Sequence, residues 1–200
     1  LSEQRQLGQY IDVLDGLGQQ RLPEQDPLGP TLLPPGPAEG EATMQTLLMP
    51  LLERAEATAS LQGRPWRGPD LWPQWIDQPS QDGTIAEIVA NLLENAFRYS
   101  PAGCSVGLCL LPDGLCVWDN GPPIPLEERD LIFERGARGS TGQDRAGTGL
   151  GLALARSLAE QQGRKLTLCV EPSTIAPDLP AQGNAFVLSW PAGARPDPTT

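Results

Sequence analysis

The chain has 200 residues, 39% of them hydrophobic, which suits one medium domain with a true core. Lys and Arg number 14 against 25 Asp and Glu, a formal net charge of -11, so nucleic acid is not expected as a partner and any phosphate site must be local. Histidine is absent, which removes Ser/His and Cys/His catalytic pairs, most catalytic zinc sites and any phosphoacceptor histidine within the chain.

Residues 1–20, "LSEQRQLGQYIDVLDGLGQQ", place Leu1, Leu7, Ile11, Leu14 and Leu17 near helical spacing and predict a separate helix with one apolar face. Residues 21–42 are dense in Pro and Gly and read as a linker. A domain is expected over 43–191, followed by a loose tail over 192–200. Because the chain opens at Leu1 inside a helical pattern, it is expected to be a piece of a longer protein, with room for a membrane segment upstream. No apolar run approaches the ~20 residues that span a bilayer, so this piece is expected to be soluble, cytoplasmic and without direct membrane contact.

From Thr43, helical spacing returns, with Pro50 either kinking the helix or marking its first turn. The stretch "RPWRGPDLWPQWID" suits short strands and turns, its Trp66, Trp72 and Trp75 serving either core packing or ligand stacking. Residues 84–99 make the strongest helix candidate. Two apolar runs, "CSVGLCLLP" and "GLCVWDN", then read as a hairpin around Pro112, Asp113 and Gly114. A short helix is expected near Leu126 to Phe133, irregular chain over 136–147, a helix over Leu150 to Gln162, and strands near 164–171 and 184–190. Such alternation predicts an α+β fold, a layer of helices on one face of a sheet. Cys104, Cys109, Cys116 and Cys169 lack paired CxxC spacing and read as small buried hydrophobes rather than metal ligands or disulfides.

Three constellations stand out. On a helical wheel of about 100° per residue, Ile85, Ile88, Val89, Leu92, Leu93 and Ala96 share one face. Glu87, Asn91, Glu94, Asn95 and Arg98 form a polar stripe on the other. The stripe is either a solvated face or a working one, since Asn oxygens ligate hard cations, Asn amides donate to phosphate and Arg98 adds positive charge. Glu87 is either a surface carboxylate or a base for a water or hydroxyl. In "VWDNGPPIP", Asp119 ends an apolar strand and Gly121 breaks it; this is either an ordinary turn or a carboxylate placed for an exocyclic amine such as that of adenine. In "GTGLGLALARSLAEQQG", Gly147, Gly149 and Gly151 crowd the start of a helix, either for close packing or to offer backbone N–H groups to phosphates. It is not a Walker loop, since no GK[ST] follows.

In this order and combination, these boxes resemble the ATP-binding domain of sensor histidine kinases, within the gyrase, Hsp90 and MutL ATPase superfamily. The resemblance covers about 43–191. It implies a two-layer α/β sandwich of the Bergerat type, its mixed, mostly antiparallel sheet covered by helices on one face. "EIVANLLENAFRYS" resembles the asparagine box, implying Asn95 as a Mg2+ ligand, Asn91 beside metal or phosphate, Arg98 facing phosphate and Tyr99 near the base. "DNGPPI" resembles the first glycine-rich box, implying Asp119 as adenine reader with Gly121 and Ile124 beside it. "IFERGARG" resembles the phenylalanine box, implying Phe133 at a lid base and Arg135 and Arg138 as phosphate contacts. "GTGLGLALA" resembles the second glycine-rich box, implying Gly147, Thr148, Gly149, Leu150 and Gly151 around the phosphates.

Two departures accompany the resemblance. Pro123 stands where the first glycine box usually has Gly, stiffening the loop and removing a backbone donor. "EQQGRK" replaces a histidine and paired glycines at the end of the last helix. Residues 1–20 resemble the end of the second dimerisation helix, whose preceding helix carries the phosphorylated histidine in that family. The implied activity is transfer of the ATP γ-phosphate to a histidine outside this chain, then to an aspartate of a response regulator receiver domain, in a homodimer formed through the upstream helices. The alternatives are an anti-sigma-type serine kinase and a non-catalytic pseudokinase docking module.

Overall fold

The computed structural model describes residues 43–77, 83–136 and 149–190. The helix expected over 1–20, the linker over 21–42 and the tail over 192–200 lie outside the described residues.

Helix α1 (Met44–Leu61) begins at Thr43, whose hydroxyl accepts the Thr46 N–H at 3.2 Å and so satisfies one of the orphan donors of the first turn. Met44, Leu48, Leu52, Ala55 and Ala59 fall on one stripe and are buried. Pro50 lies inside the helix rather than in its first turn, on the exposed side, where water can serve the carbonyl that loses its donor. Helix α2 (Thr84–Tyr99) buries all six residues expected of its apolar face, from Ile85 to Ala96. Helix α3 (Gly151–Gln161) packs against α2 and buries Ala155 and Ala159. Both α1 and α3 stop by one rule. A glycine with positive φ, Gly63 (61°) or Gly163 (65°), follows the cap, and the N–H of the next residue, Arg64 or Arg164, reaches back to Ala59 O or Ala159 O at 2.9 and 2.8 Å.

Among the described residues, five strands form one sheet in the order β1-β2-β3-β5-β4: β1 (Trp66–Arg67), β2 (Val106–Leu111), β3 (Gly114–Asp119), β4 (Lys165–Cys169) and β5 (Asn184–Ser189). Only β1 against β2 is parallel; the other pairs are antiparallel, as the resemblance implied. The hairpin turn is one residue tighter than expected, because Gly114 already pairs with Leu111 as a strand residue. It has to be glycine, since a Cβ there would sit 2.2 Å from Leu188 O. The single helix expected near Leu126 to Phe133 is instead two 3-10 turns, Leu126–Glu128 and Leu131–Phe133.

Central β3 is buried along its whole length, which explains its continuous apolar run. Alternation sends Leu115 and Val117 into the helix-side core with Phe186 and Leu188, and Cys116 and Trp118 to the opposite face. There the connector between β4 and β5 covers the sheet with Ile175, Ala176 and Leu179. Arg67 on edge strand β1 ties that connector down, with Asp178 Oδ2 at 2.6 Å and Asp178 O at 2.9 Å, and pairs with Asp70 as well. Trp66 stacks on Phe97 at 6.2 Å, and Trp75 meets Trp190 edge-on at 5.3 Å while donating to Leu111 O at 2.8 Å. Packing is therefore the role of these two tryptophans, whereas Trp72 is exposed. The cysteine expectation holds for Cys116 alone; Cys104, Cys109 and Cys169 are only half-buried, because they lie on or beyond the sheet face that the connector partly covers.

Candidate functional site

The same alternation that buries Leu115 and Val117 places Asp119 on the helix side, at the very end of β3. Its carboxylate is 5% exposed. Oδ1 accepts the Gly121 N–H at 2.8 Å and the Asn184 amide at 3.2 Å, while Oδ2 accepts nothing from the described residues. Burial pushes the Asp119 carboxyl above its ordinary range; the Gly121 and Asn184 hydrogen bonds and the Arg64 charge pull it part of the way back. Gly121 is required here, because a Cβ would come within 2.8 Å of Asp119 Oδ1 and 3.2 Å of Pro101.

Asn184, the first residue of β5, went unnoticed in the sequence. Its Nδ2 donates to Asp119 and to Pro122 O at 3.0 Å, and its Oδ1 accepts the Ile124 N–H at 2.8 Å. One buried amide thus orients the carboxylate and staples the loop that carries Pro122 and Ile124. The only sequence signal is a polar residue after glycine at a strand start, "QGNAF". Arg64 is a second omission. It donates to Ser100 Oγ and Ser100 O at 2.7 Å and to Pro101 O at 2.9 Å, clamping the C-terminus of α2, where a cation also meets the helix dipole.

Along the polar stripe of α2, Asn91 donates through Nδ2 to Glu87 O at 2.9 Å, one turn back. This fixes the amide so that Oδ1 faces α3, 3.2 Å from where a Cβ on Gly151 would lie. Gly151 therefore lets the start of α3 close on the asparagine. No side chain caps α3, and Leu150, an exposed residue, occupies the cap position. Asn95 is half-buried and makes no hydrogen bond to a described residue; Tyr99 is half-buried and Glu87 exposed. Arg98 pairs with Glu94 one turn earlier.

Phe133 packs edge-on against Phe186 at 6.1 Å, and the Arg156 guanidinium covers its ring at 5.1 Å. Arg135 is exposed beyond it. Gly136 N–H then donates to Gly149 O at 3.1 Å, with both glycines at positive φ (77° and 67°). Arg138, Gly147 and Thr148 lie outside the described residues. The structure thus brings Asn91, Gly149, Leu150 and Gly151 to one place, with Asp119, Gly121 and Ile124 at the strand end.

Residues 81–194 match the family model described as histidine kinase-, DNA gyrase B-, and HSP90-like ATPase. The chain belongs to this family. Its domain is accordingly an ATP-binding one. Among similar proteins, the sensor histidine kinase Hik2 of Thermosynechococcus vestitus is 35% identical over 76% of this chain and 39% of its own length. The chain thus spans about two fifths of that curated relative. A solved mycobacterial sensor histidine kinase, MprB, superposes with a TM-score of 0.52 at 25% identity over 70% of this chain and 93% of its own. The nucleotide-free catalytic domain of histidine kinase ThkA superposes at 0.55 and 21% identity, covering 73% of this chain and 92% of that one, a likeness of fold. Among the described residues, no helix of this ATPase-family chain is long and apolar enough to cross a membrane.

Proposed function

We propose that this chain is the catalytic region of a two-component sensor histidine kinase. It binds Mg-ATP and presents the γ-phosphate to a histidine outside the chain, for relay to an aspartate on a response regulator receiver domain. The full protein acts as a homodimer through its upstream helices, with this region in the cytoplasm. The observation that carries the reading is the approach of Asn91 Oδ1 to the start of α3, together with a buried carboxylate at the end of β3 whose Oδ2 accepts nothing from the described residues.

The roles follow from chemistry. Asp119 Oδ2 accepts the exocyclic amine of adenine, and the Gly121 backbone lies against the ring, with Ile124 and Tyr99 as apolar neighbours. The first N–H groups of α3, with Gly149 and Leu150, donate to phosphate oxygens. Arg98, Arg135 and Arg138 supply positive charge, and Thr148 and Gly147 extend the phosphate contacts. Among the described residues no trio of His, Cys, Asp or Glu is placed for a metal, which suits a cation that arrives with its phosphates and needs few protein ligands. Asn95, without a hydrogen bond to a described residue, and Asn91 Oδ1 offer the amide oxygens for it. Magnesium bound there would neutralise phosphate charge. Glu87, exposed one turn from Asn91, orients the incoming nucleophile in this reading. Since phosphoryl transfer rests on positioning and charge neutralisation, the absence of histidine from the chain is compatible with this role.

Calorimetry on this chain tests the nucleotide half of the proposal. ATP should bind more tightly with magnesium, and Asn95→Ala should cost about tenfold in affinity with magnesium present while changing magnesium-free binding by less than about twofold. An equal loss in both conditions would overturn the metal role. The full-length protein given γ-labelled ATP should yield acid-labile, alkali-stable phosphohistidine. Phosphoserine on an added partner would overturn this reading in favour of a serine kinase, and no nucleotide binding at all would favour a docking module.

A further inference from the structure

We infer that Cys109 and Cys116 form a reversible dithiol–disulfide site on the sheet face opposite the helices, oxidised by a peroxide and reset by a dithiol reductant. The strand register pairs Cys109 of β2 directly with Cys116 of β3. Directly opposed residues on antiparallel strands have Cα atoms about 4.5–5.5 Å apart and side chains on the same face, inside the roughly 4.4–6.8 Å window of disulfides. The Cβ atoms of such a pair are about 4.5–5.5 Å apart and need to close by only roughly 1 Å to reach the spacing of a disulfide.

The two thiols are unequal in the way a reactive and a resolving cysteine must be. Cys109 is half-buried at the rim of the covered face, and the charges of Arg67, Asp178 and Asp70 all reach it. Cys116 is fully buried beneath the connector with Trp118 and Leu179. Each thiol is the other's strongest neighbour: Cys116 draws the Cys109 thiol below its usual value, while Cys109 and then burial push the Cys116 thiol up; Cys109 Sγ itself faces Leu110 O at 3.7 Å. The remaining cysteines do not compete. Cys169 lies on β4, with β5 intervening, so its Cα is roughly 10 Å from Cys116, beyond bridging range; its thiol faces Glu171 O at 3.4 Å. Cys104 precedes β2 and lies outside the strand register.

The chemistry balances with hydrogen peroxide as oxidant. The Cys109 thiolate attacks one peroxide oxygen, the O–O bond breaks, and the departing hydroxide takes a proton to leave as water, giving Cys109 sulfenic acid. The Cys116 sulfur then attacks the Cys109 sulfur, the S–O bond breaks, and the thiol proton leaves with the hydroxyl as a second water. Two thiols have given two electrons to one peroxide.

An endoproteinase that cuts before aspartate separates the two cysteines at Asp113, so peptide mapping reads the bond directly. After brief peroxide treatment of the folded chain, the peptide beginning at Asp113 should remain joined to the one ending at Pro112. Fragmentation should place the link at Cys109, and dithiothreitol should release it. Cys104→Ser and Cys169→Ser should retain the link, Cys109→Ser and Cys116→Ser should lose it, and Cys116→Ser should accumulate dimedone-reactive sulfenic acid at Cys109. A link that maps to Cys104 or survives in Cys109→Ser, or four free thiols in oxidised wild type, would overturn the site. The wild-type map decides even where a variant fails to fold.

Discussion

Asp119→Asn should weaken ATP binding by about 10- to 100-fold, the loss expected when a hydrogen bond to a charged acceptor is removed, yet leave the protein as stable as wild type or more so at neutral pH. The replacement is nearly isosteric, and its Oδ1 can still accept from Gly121 and Asn184, so the local scaffold survives. What changes is the buried charge. Because the native carboxyl titrates above its unfolded value near 3.8, the stability it contributes is fully present below that value and is lost as pH rises through the native pKa. The stability gap between variant and wild type, measured by urea denaturation from acid to mild alkali, should therefore widen in the variant's favour across that window and then level off. A variant that binds ATP normally, or that loses stability at neutral pH, would show the carboxylate to be structural.

Gly183→Ala should destabilise the domain by about 2–5 kcal/mol, combining backbone strain with overpacking. Gly183 has φ 152°, and a Cβ would lie 2.0 Å from Asp119 O and 3.0 Å from Asn120 Cα. The obstruction is backbone, so no rotamer can relieve it. Accommodation must lift β5 from the end of β3 and carry Asn184 away from Asp119, so nucleotide affinity should fall even below the unfolding midpoint. Gly163→Ala provides the comparison, since Gly163 also has positive φ but nothing within 4 Å of its would-be Cβ. It should cost only about 1 kcal/mol and leave ATP binding intact. Equal losses from the two variants would remove the argument for close packing at Gly183.

Much of this arrangement is local and therefore readable from one sequence. The apolar face of α2 follows from helical period alone, and all six of its residues are buried. Asp119 announces itself as a charge ending an apolar strand next to glycine. The features that escaped reading depend on partners far away in the chain. Asn184 acts on Asp119 across 65 residues, and Arg64 reaches Ser100 across 36. No periodicity connects such positions. Pairing of Cys109 with Cys116 was hidden for a related reason, because it depends on hairpin register, and the turn proved one residue shorter than its composition implied. The 3-10 turns near Leu126 and Leu131 replaced a predicted helix because a few helix-favouring residues between Pro125 and Gly136 leave too little length for propagation.

The bond between Asp119 and Asn184 also carries a consequence for biosynthesis. Asn91, Asn95 and Asp119 all emerge from the ribosome well before Asn184, which leads the last strand of the sheet. Until that strand docks, the carboxylate lacks its orienting amide and the Ile124 loop lacks its staple. A nascent or proteolytically shortened chain ending before β5 would hold nearly every recognisable motif of the family yet lack the amide that orients Asp119 and staples the Ile124 loop, so a nucleotide site that depends on Asp119 would be completed only when translation of the domain is.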